Sequence, residues 1–130
     1  MRLSVNQTLA IMMGGALGAL LRYLISNAIY DWLGRSFPWG TLGVNVFGSF
    51  LMGLLSLLLL ERWQIDPAIK LMILVGFLGA FTTFSTFSME TFHLLQQGHP
   101  LKAVINSLLS VVFCVFAVWL GILVGQQWIK

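Results

Sequence analysis

Apolar residues fill most of the chain in four long runs, and short polar segments separate one run from the next. About 20 apolar residues in a helix are enough to cross the hydrocarbon core of a bilayer. The pattern therefore predicts an all-α integral membrane fold with four transmembrane helices in a single domain, 1–130. The predicted spans are residues 8–29, 41–60, 68–95 and 101–128.

The third run is longer than one simple crossing, and its middle is unusually polar. Between Gly76 and Glu90 it carries glycines, a series of hydroxyl side chains and a carboxylate. In hydrocarbon, such groups and irregular backbone persist only where protein or a water-lined path shelters them. The segment therefore predicts the lining of an ion path, with a break in the third helix near residues 79–83. A break frees backbone carbonyls, which are good ligands for Na⁺.

Composition narrows the class of protein further. The chain is 58% hydrophobic and 8% charged, whereas soluble domains carry about 25% charged residues. Its seven basic residues are dispersed and form no basic patch. The net charge of +3 therefore does not indicate binding to nucleic acid, and we expect no nucleic-acid partner. One cysteine allows no disulfide within the chain. Neither a nucleotide-binding loop nor a Ser-His-Asp constellation occurs, and we expect no enzyme.

Charge is balanced between the two ends of the predicted helices. Four spans put both chain termini on one side of the membrane. Arg2, Arg62, Lys70 and Lys130 lie on that side, and Arg22, Arg35 and Lys102 lie towards the other. This bias is too weak to set one orientation. We therefore expect insertion both ways, which would permit an antiparallel homodimer with two-fold symmetry.

Three polar side chains within the spans each allow two interpretations. Asn45 is either an anion ligand through its amide N–H groups or an interhelical hydrogen-bonding group. Arg22 either draws anions into a vestibule or serves as a helix-end anchor or partner of a carboxylate. Glu90, close to His93, is either a proton-coupling group or a structural contact.

Two further patterns concern possible pore surfaces. Phe81, Phe84 and Phe87 recur every third residue on roughly one helical face. They form either a packing stripe or a set of ring edges, whose partial positive charge suits an anion. Asn106, Ser110 and Cys114 follow one another at i, i+4 and i+8 on one face of the fourth span. For that stripe, pore lining is favoured over interhelical hydrogen bonding.

Three sequence blocks resemble the Fluc (CrcB) family of fluoride channels. They are GGALGALLRY at 14–23, GTLGVN at 40–45 continuing through Gly48 to Gly53, and the segment 76–90 with its TTFSTF core. The resemblance covers essentially the whole chain. It implies a passive, fluoride-selective channel that exports F⁻ from a microbial cytoplasm through the plasma membrane. It also implies a dual-topology, antiparallel homodimer with two pores.

The resemblance also implies roles for individual residues. Asn45 looks like the pore asparagine, and Phe84 and Phe87 look like the phenylalanines whose ring edges face fluoride. Arg22 looks like the vestibule arginine. Gly79 and Thr82 look like the residues whose carbonyls, from both subunits, hold a central Na⁺. The remaining expected pore residues are Ser85, Thr86, Ser88, Asn106, Ser110 and Cys114.

Two other functions compete with a fluoride channel. A small proton-coupled exporter would use Glu90, and its flux would follow a pH gradient. A structural or assembly protein would transport nothing.

Overall fold

The computed structural model describes residues 2–129, and it consists of helices joined by short connections. Helix α1 is Val5–Leu33, and α2 is Trp39–Leu57 with a π-helical continuation, Leu58–Arg62. The third span begins with α3, residues 67–81, in which a π-helical stretch, Leu71–Phe77, lies between α-helical turns. It continues with α4, Phe84–Gln96, and the chain ends with α5, Pro100–Ile129. All four predicted spans are long and apolar enough to cross a membrane, which confirms the all-helical membrane fold. Lys130 lies outside the described residues.

The ends of α1 show where the sequence was misread. At its start, Ser4 and Gln7 form a reciprocal capping box, with bonds of 2.9 and 3.2 Å. At its other end the helix continues to Leu33 and stops only at Gly34, whose φ of 85° suits glycine. The predicted end of this span at residue 29 is four residues too early, because no glycine or proline lies between residue 29 and Gly34. Tyr30 is therefore a helical residue that faces the interior.

The spans pack as two close pairs, α1 along α3 and α2 along α5. Small residues make both pairs possible. A Cβ atom on Gly53 would lie 2.2 Å from the Val118 carbonyl oxygen, and one on Gly121 would lie 2.2 Å from that of Phe50. Because lipid offers little hydrophobic drive for helix association, such backbone approach supplies much of the packing contact.

The third span is interrupted at Thr82 and Thr83, within the predicted break. Both residues have extended backbone, with φ and ψ of −88° and 159° at Thr82 and −152° and 123° at Thr83. The Thr83 hydroxyl then caps α4 by accepting the Thr86 N–H at 3.2 Å. The break also corrects the expected phenylalanine stripe. Phe81 ends α3, is 2% exposed and stacks on Phe77, so it does not share a face with the phenylalanines of α4.

Candidate functional site

The amide of Asn45 holds the broken backbone of the third span. Its Nδ2 donates to the Thr83 carbonyl at 2.9 Å, and its Oδ1 accepts the Thr83 N–H at 2.7 Å. Both polar groups of one extended residue are thereby satisfied inside the membrane, where an unpaired backbone group costs several kcal/mol. Asn45 thus bonds across the helices, and one Nδ2 hydrogen remains for another acceptor.

Beside this amide lies a groove of about 380 Å³ between α2, α4 and α5, which we call the polar–aromatic groove. Its lining combines an amide, hydroxyls, a thiol and two aromatic rings. These groups belong to Asn45, Ser49, Thr82, Thr83, Phe84, Phe87, Ser110 and Cys114. Apolar side chains of α2 and α5 complete the wall. The structure therefore brings five of the predicted pore residues together, namely Asn45, Phe84, Phe87, Ser110 and Cys114.

The two groove phenylalanines lie side by side at the start of α4. Their ring centroids are 5.3 Å apart, and the rings are tilted by 45° to each other. Phe84 is 78% exposed in the single chain, whereas Phe87 is half-buried.

The predicted stripe on α5 divides into two parts. Ser110 and Cys114 face the polar–aromatic groove. Asn106 is 1% exposed and donates instead to the Thr91 hydroxyl of α4 at 2.9 Å, outside the groove lining. Thr91 in turn donates to the Phe87 carbonyl at 2.7 Å. Asn106 therefore holds α4 through Thr91, on the side of α4 away from the groove.

The predicted hydroxyls of α4 form local hydrogen bonds. Thr86 accepts from the Thr83 hydroxyl at 3.0 Å, and Ser85 lies 3.3 Å from the same oxygen. Ser88 donates to the Phe84 carbonyl at 2.9 Å. Ser85 and Ser88 are exposed, and Thr86 points into a second cavity on the α1 side.

This second cavity, the arginine cavity, has a volume of about 200 Å³. Its polar lining comes from Arg22, Tyr23, Ser26, Thr41, Thr83 and Thr86. The Nε atom of Arg22 is buried and has no hydrogen-bond partner within residues 2–129. A buried guanidinium donor without an acceptor favours an anion or water in this cavity.

Glu90 is held by a residue that the sequence analysis left out. The Tyr30 hydroxyl donates to Glu90 Oε1 at 2.6 Å and lies 3.2 Å from the Thr41 hydroxyl. The Arg35 guanidinium lies 4.8 Å from the centre of the Tyr30 ring. Tyr30, Arg35 and Glu90 line a cavity of about 200 Å³. The carboxylate therefore bonds to Tyr30 rather than to Arg22. Its second oxygen, Oε2, is buried and unpartnered among the described residues.

The spacing of polar residues along α1 and α2 contains a sequence signal for Tyr30 and Thr41. Arg22, Ser26 and Tyr30 are spaced i, i+4 and i+8 along α1. Thr41 begins the same spacing along α2, followed by Asn45 and Ser49. In membrane helices, polar positions at this spacing face protein or water.

Of the two expected sodium ligands, Thr82 lies at the break and Gly79 lies in the last helical turn before it. Thr82 N–H and its hydroxyl both bond to the Leu78 carbonyl, at 3.1 and 3.0 Å. Gly79 is exposed, and a Cβ atom there would meet nothing within 4 Å. Residues 2–129 contain no cluster of three His, Cys, Asp or Glu side chains suited to a metal.

Comparison with known proteins connects this arrangement to a family. Residues 9–122 match the family model described as CrcB-like protein, Camphor Resistance (CrcB). The chain belongs to the CrcB family. A fluoride-specific ion channel FluC of Magnetococcus marinus is 57% identical over 114 residues, which are 88% of this chain and 93% of that protein. A fluoride-specific ion channel FluC of Hydrogenovibrio crunogenus is 50% identical over 123 residues, which are 95% of this chain and 93% of that protein.

Another CrcB relative, from Methylococcus capsulatus and also named a fluoride-specific ion channel, is 54% identical over 118 residues, or 91% of this chain. The chain spans about half the length of that relative, 52%. CrcB membership confirms the predicted family. Since these relatives are ion channels, it also confirms a membrane location and a function other than enzymatic catalysis.

Proposed function

We propose that the chain is a passive, fluoride-selective channel that exports F⁻ from the cytoplasm across the plasma membrane. The observation that carries this proposal is the polar–aromatic groove, where an amide donor, hydroxyls and two phenylalanine rings from three helices meet. The names of the 57% and 50% identical relatives support the same ion. The test is efflux of fluoride and chloride from liposomes that contain the purified protein.

The chemistry of the groove suits a small, strongly hydrated anion. Conduction requires groups that replace the hydration water yet bind weakly enough to release the ion. Asn45 offers its remaining N–H, Ser110 offers a hydroxyl, and the rings of Phe84 and Phe87 offer edges with partial positive charge. The Cys114 thiol, which also lines the groove, is a poorer hydrogen-bond donor than a hydroxyl. Ser85, Thr86 and Ser88 extend the proposed path beyond the groove as further hydroxyl groups. Asn106, which lies outside the groove, supports α4 through its bond to Thr91.

A second copy of the chain completes the site in this proposal. The groove is open along one side, Phe84 is largely exposed at its edge, and Gly79 lies on an open surface. An antiparallel homodimer would cover these features and create two equivalent pores related by two-fold symmetry. The weak charge bias between the two membrane sides supports insertion in both orientations.

A structural Na⁺ at the dimer interface is the proposed cofactor. The break turns the Thr83 N–H to Asn45, so the Gly79 carbonyl lacks the helical donor four residues ahead. Carbonyls of Gly79 and Thr82 from two subunits would together supply four oxygens, which suits Na⁺. The bound ion would add positive potential between the pores. Arg22 would add a further positive charge in the vestibule.

Proton coupling through Glu90 is the second candidate function, because its Oε2 is buried without a partner. For a passive channel, we expect Glu90→Gln to retain fluoride efflux within about tenfold, the effect of about 1.4 kcal/mol on a barrier. Glutamine keeps an oxygen for the Tyr30 hydroxyl but has no proton to exchange. Efflux is measured from liposomes with and without a pH gradient.

The same experiment identifies a proton-coupled exporter. In that case wild-type flux would follow the imposed pH gradient, and Glu90→Gln would remove transport altogether. Tyr30→Phe serves as a control, since it removes the hydroxyl that holds Glu90 and leaves the carboxylate in place.

A further inference from the structure

Asn45 uses both ends of its amide on a single peptide residue, Thr83. In an uninterrupted α-helix the Thr83 N–H would donate to the Gly79 carbonyl, four residues earlier. Here that N–H lies 2.7 Å from Asn45 Oδ1 instead. The side chain thus substitutes for a helical hydrogen bond and leaves the Gly79 oxygen without its usual donor.

A glycine in the adjacent turn of α2 lets the extended segment of the third span approach this helix closely. Gly48 is buried against Thr82, and a Cβ atom on it would lie 2.3 Å from Thr82 Cγ2. Asn45 and Gly48 are one helical turn apart on the same face. Together they let the extended segment approach α2 closely and be held there by two hydrogen bonds.

We propose that Asn45 is a positioning residue for the cation site: it holds the Thr83 N–H away from the Gly79 carbonyl and so keeps that oxygen available to Na⁺. This inference rests on the proposed sodium site, and it adds a role for Asn45 that is separate from contact with the anion. The acceptor oxygen of the side chain carries the effect. The remaining Nδ2 hydrogen of Asn45 has no part in this effect.

Two substitutions of Asn45 separate these roles. Asn45→Asp keeps an acceptor for the Thr83 N–H but loses every amide donor. Asn45→Leu has a similar volume and loses both donor and acceptor, so the Thr83 N–H is free to return to Gly79. Asn27→Leu is the matched control, because Asn27 is a partly exposed asparagine on α1 that bonds to Tyr23 and Arg35 and lies outside the break.

The measurement is the thermal unfolding temperature of the purified protein in detergent as NaCl replaces choline chloride. A ligand that binds only the folded protein raises this temperature according to its concentration relative to Kd. We expect wild type, Asn27→Leu and Asn45→Asp to reach half of the Na⁺-dependent shift at similar concentrations. Asn45→Leu should require at least about tenfold more Na⁺, which corresponds to weaker binding by about 1.4 kcal/mol. Fluoride flux should fall in both Asn45 variants.

Three results would overturn the inference. If Asn45→Leu responds to Na⁺ as wild type does, Asn45 does not position the site. If a folded Asn45→Asp loses the response, the acceptor oxygen does not carry the effect by itself, because this variant also lacks the bond from Nδ2 to the Thr83 carbonyl, and the proposal as stated is overturned. If wild type itself shows no shift, the sodium site fails together with the inference.

If Asn45→Leu does not fold, the exchange rate of the Thr83 amide hydrogen provides a second test. The Thr83 amide should be protected in wild type and in Asn45→Asp, because an acceptor is present in both. Rapid exchange of that amide in folded Asn45→Asp would contradict the proposal.

Discussion

Phe84→Ile and Phe87→Ile are each expected to abolish fluoride flux while the protein still folds and still forms the proposed dimer. Isoleucine keeps an apolar side chain but has no aromatic edge with partial positive charge. We expect a loss of at least about a hundredfold, by analogy with the loss of rate when one preorganised donor to an oxyanion is removed from an enzyme site that excludes water. The ring centroids are 5.3 Å apart at the groove, and in the proposed pore both rings contact the ion.

The matched control is Phe92→Ile on the same helix. Phe92 is exposed and is not part of the polar–aromatic groove, so this variant should conduct at the wild-type rate. Efflux from liposomes gives the rate, and size-exclusion chromatography gives the oligomeric state. Wild-type flux in either groove variant would refute the role of the ring edges.

Gly14→Ala is expected to destabilise the protein strongly, whereas Gly15→Ala is expected to have little effect. A Cβ atom on Gly14 would lie 2.1 Å from the Met72 carbonyl oxygen, a backbone atom that cannot move alone. Overpacking of this kind costs about 1–3 kcal/mol or more. On Gly15 the nearest atom is the Gly76 carbonyl oxygen at 3.8 Å, an ordinary contact.

The unfolding temperatures of both variants are measured in the same detergent. Because both changes are glycine to alanine at adjacent positions of α1, they alter composition and helix propensity equally. A lower unfolding temperature for Gly14→Ala alone would support the close approach of α1 and α3. Equal unfolding temperatures would contradict it, since the packing of this pair depends on the missing Cβ at Gly14.

The helices and the break could be predicted from the sequence because both depend on local properties. Apolar length indicates a span, and clustered glycine and hydroxyl residues indicate irregular backbone. The two interpretations of Asn45 could not be separated in this way. Its bond to Thr83 joins positions 38 residues apart, which only the packed structure brings together.

Residue orientation was harder to predict than residue class. Positions four residues apart on a helix differ by about 40° in direction. Over the two steps from Asn106 to Cys114 this drift turns one end of the stripe toward Thr91 and leaves the other at the groove. Tyr30 was missed for a different reason, because an aromatic residue beside charges is also typical of the membrane interface.

Efflux from liposomes that contain the purified protein tests the central claim most directly. Fluoride and chloride electrodes record the loss of each ion, and valinomycin balances charge through K⁺. We expect rapid loss of fluoride, no loss of chloride, and slow fluoride loss without valinomycin, because a passive channel moves net charge. Retention of both ions, or equal loss of fluoride and chloride, would contradict a fluoride-selective channel.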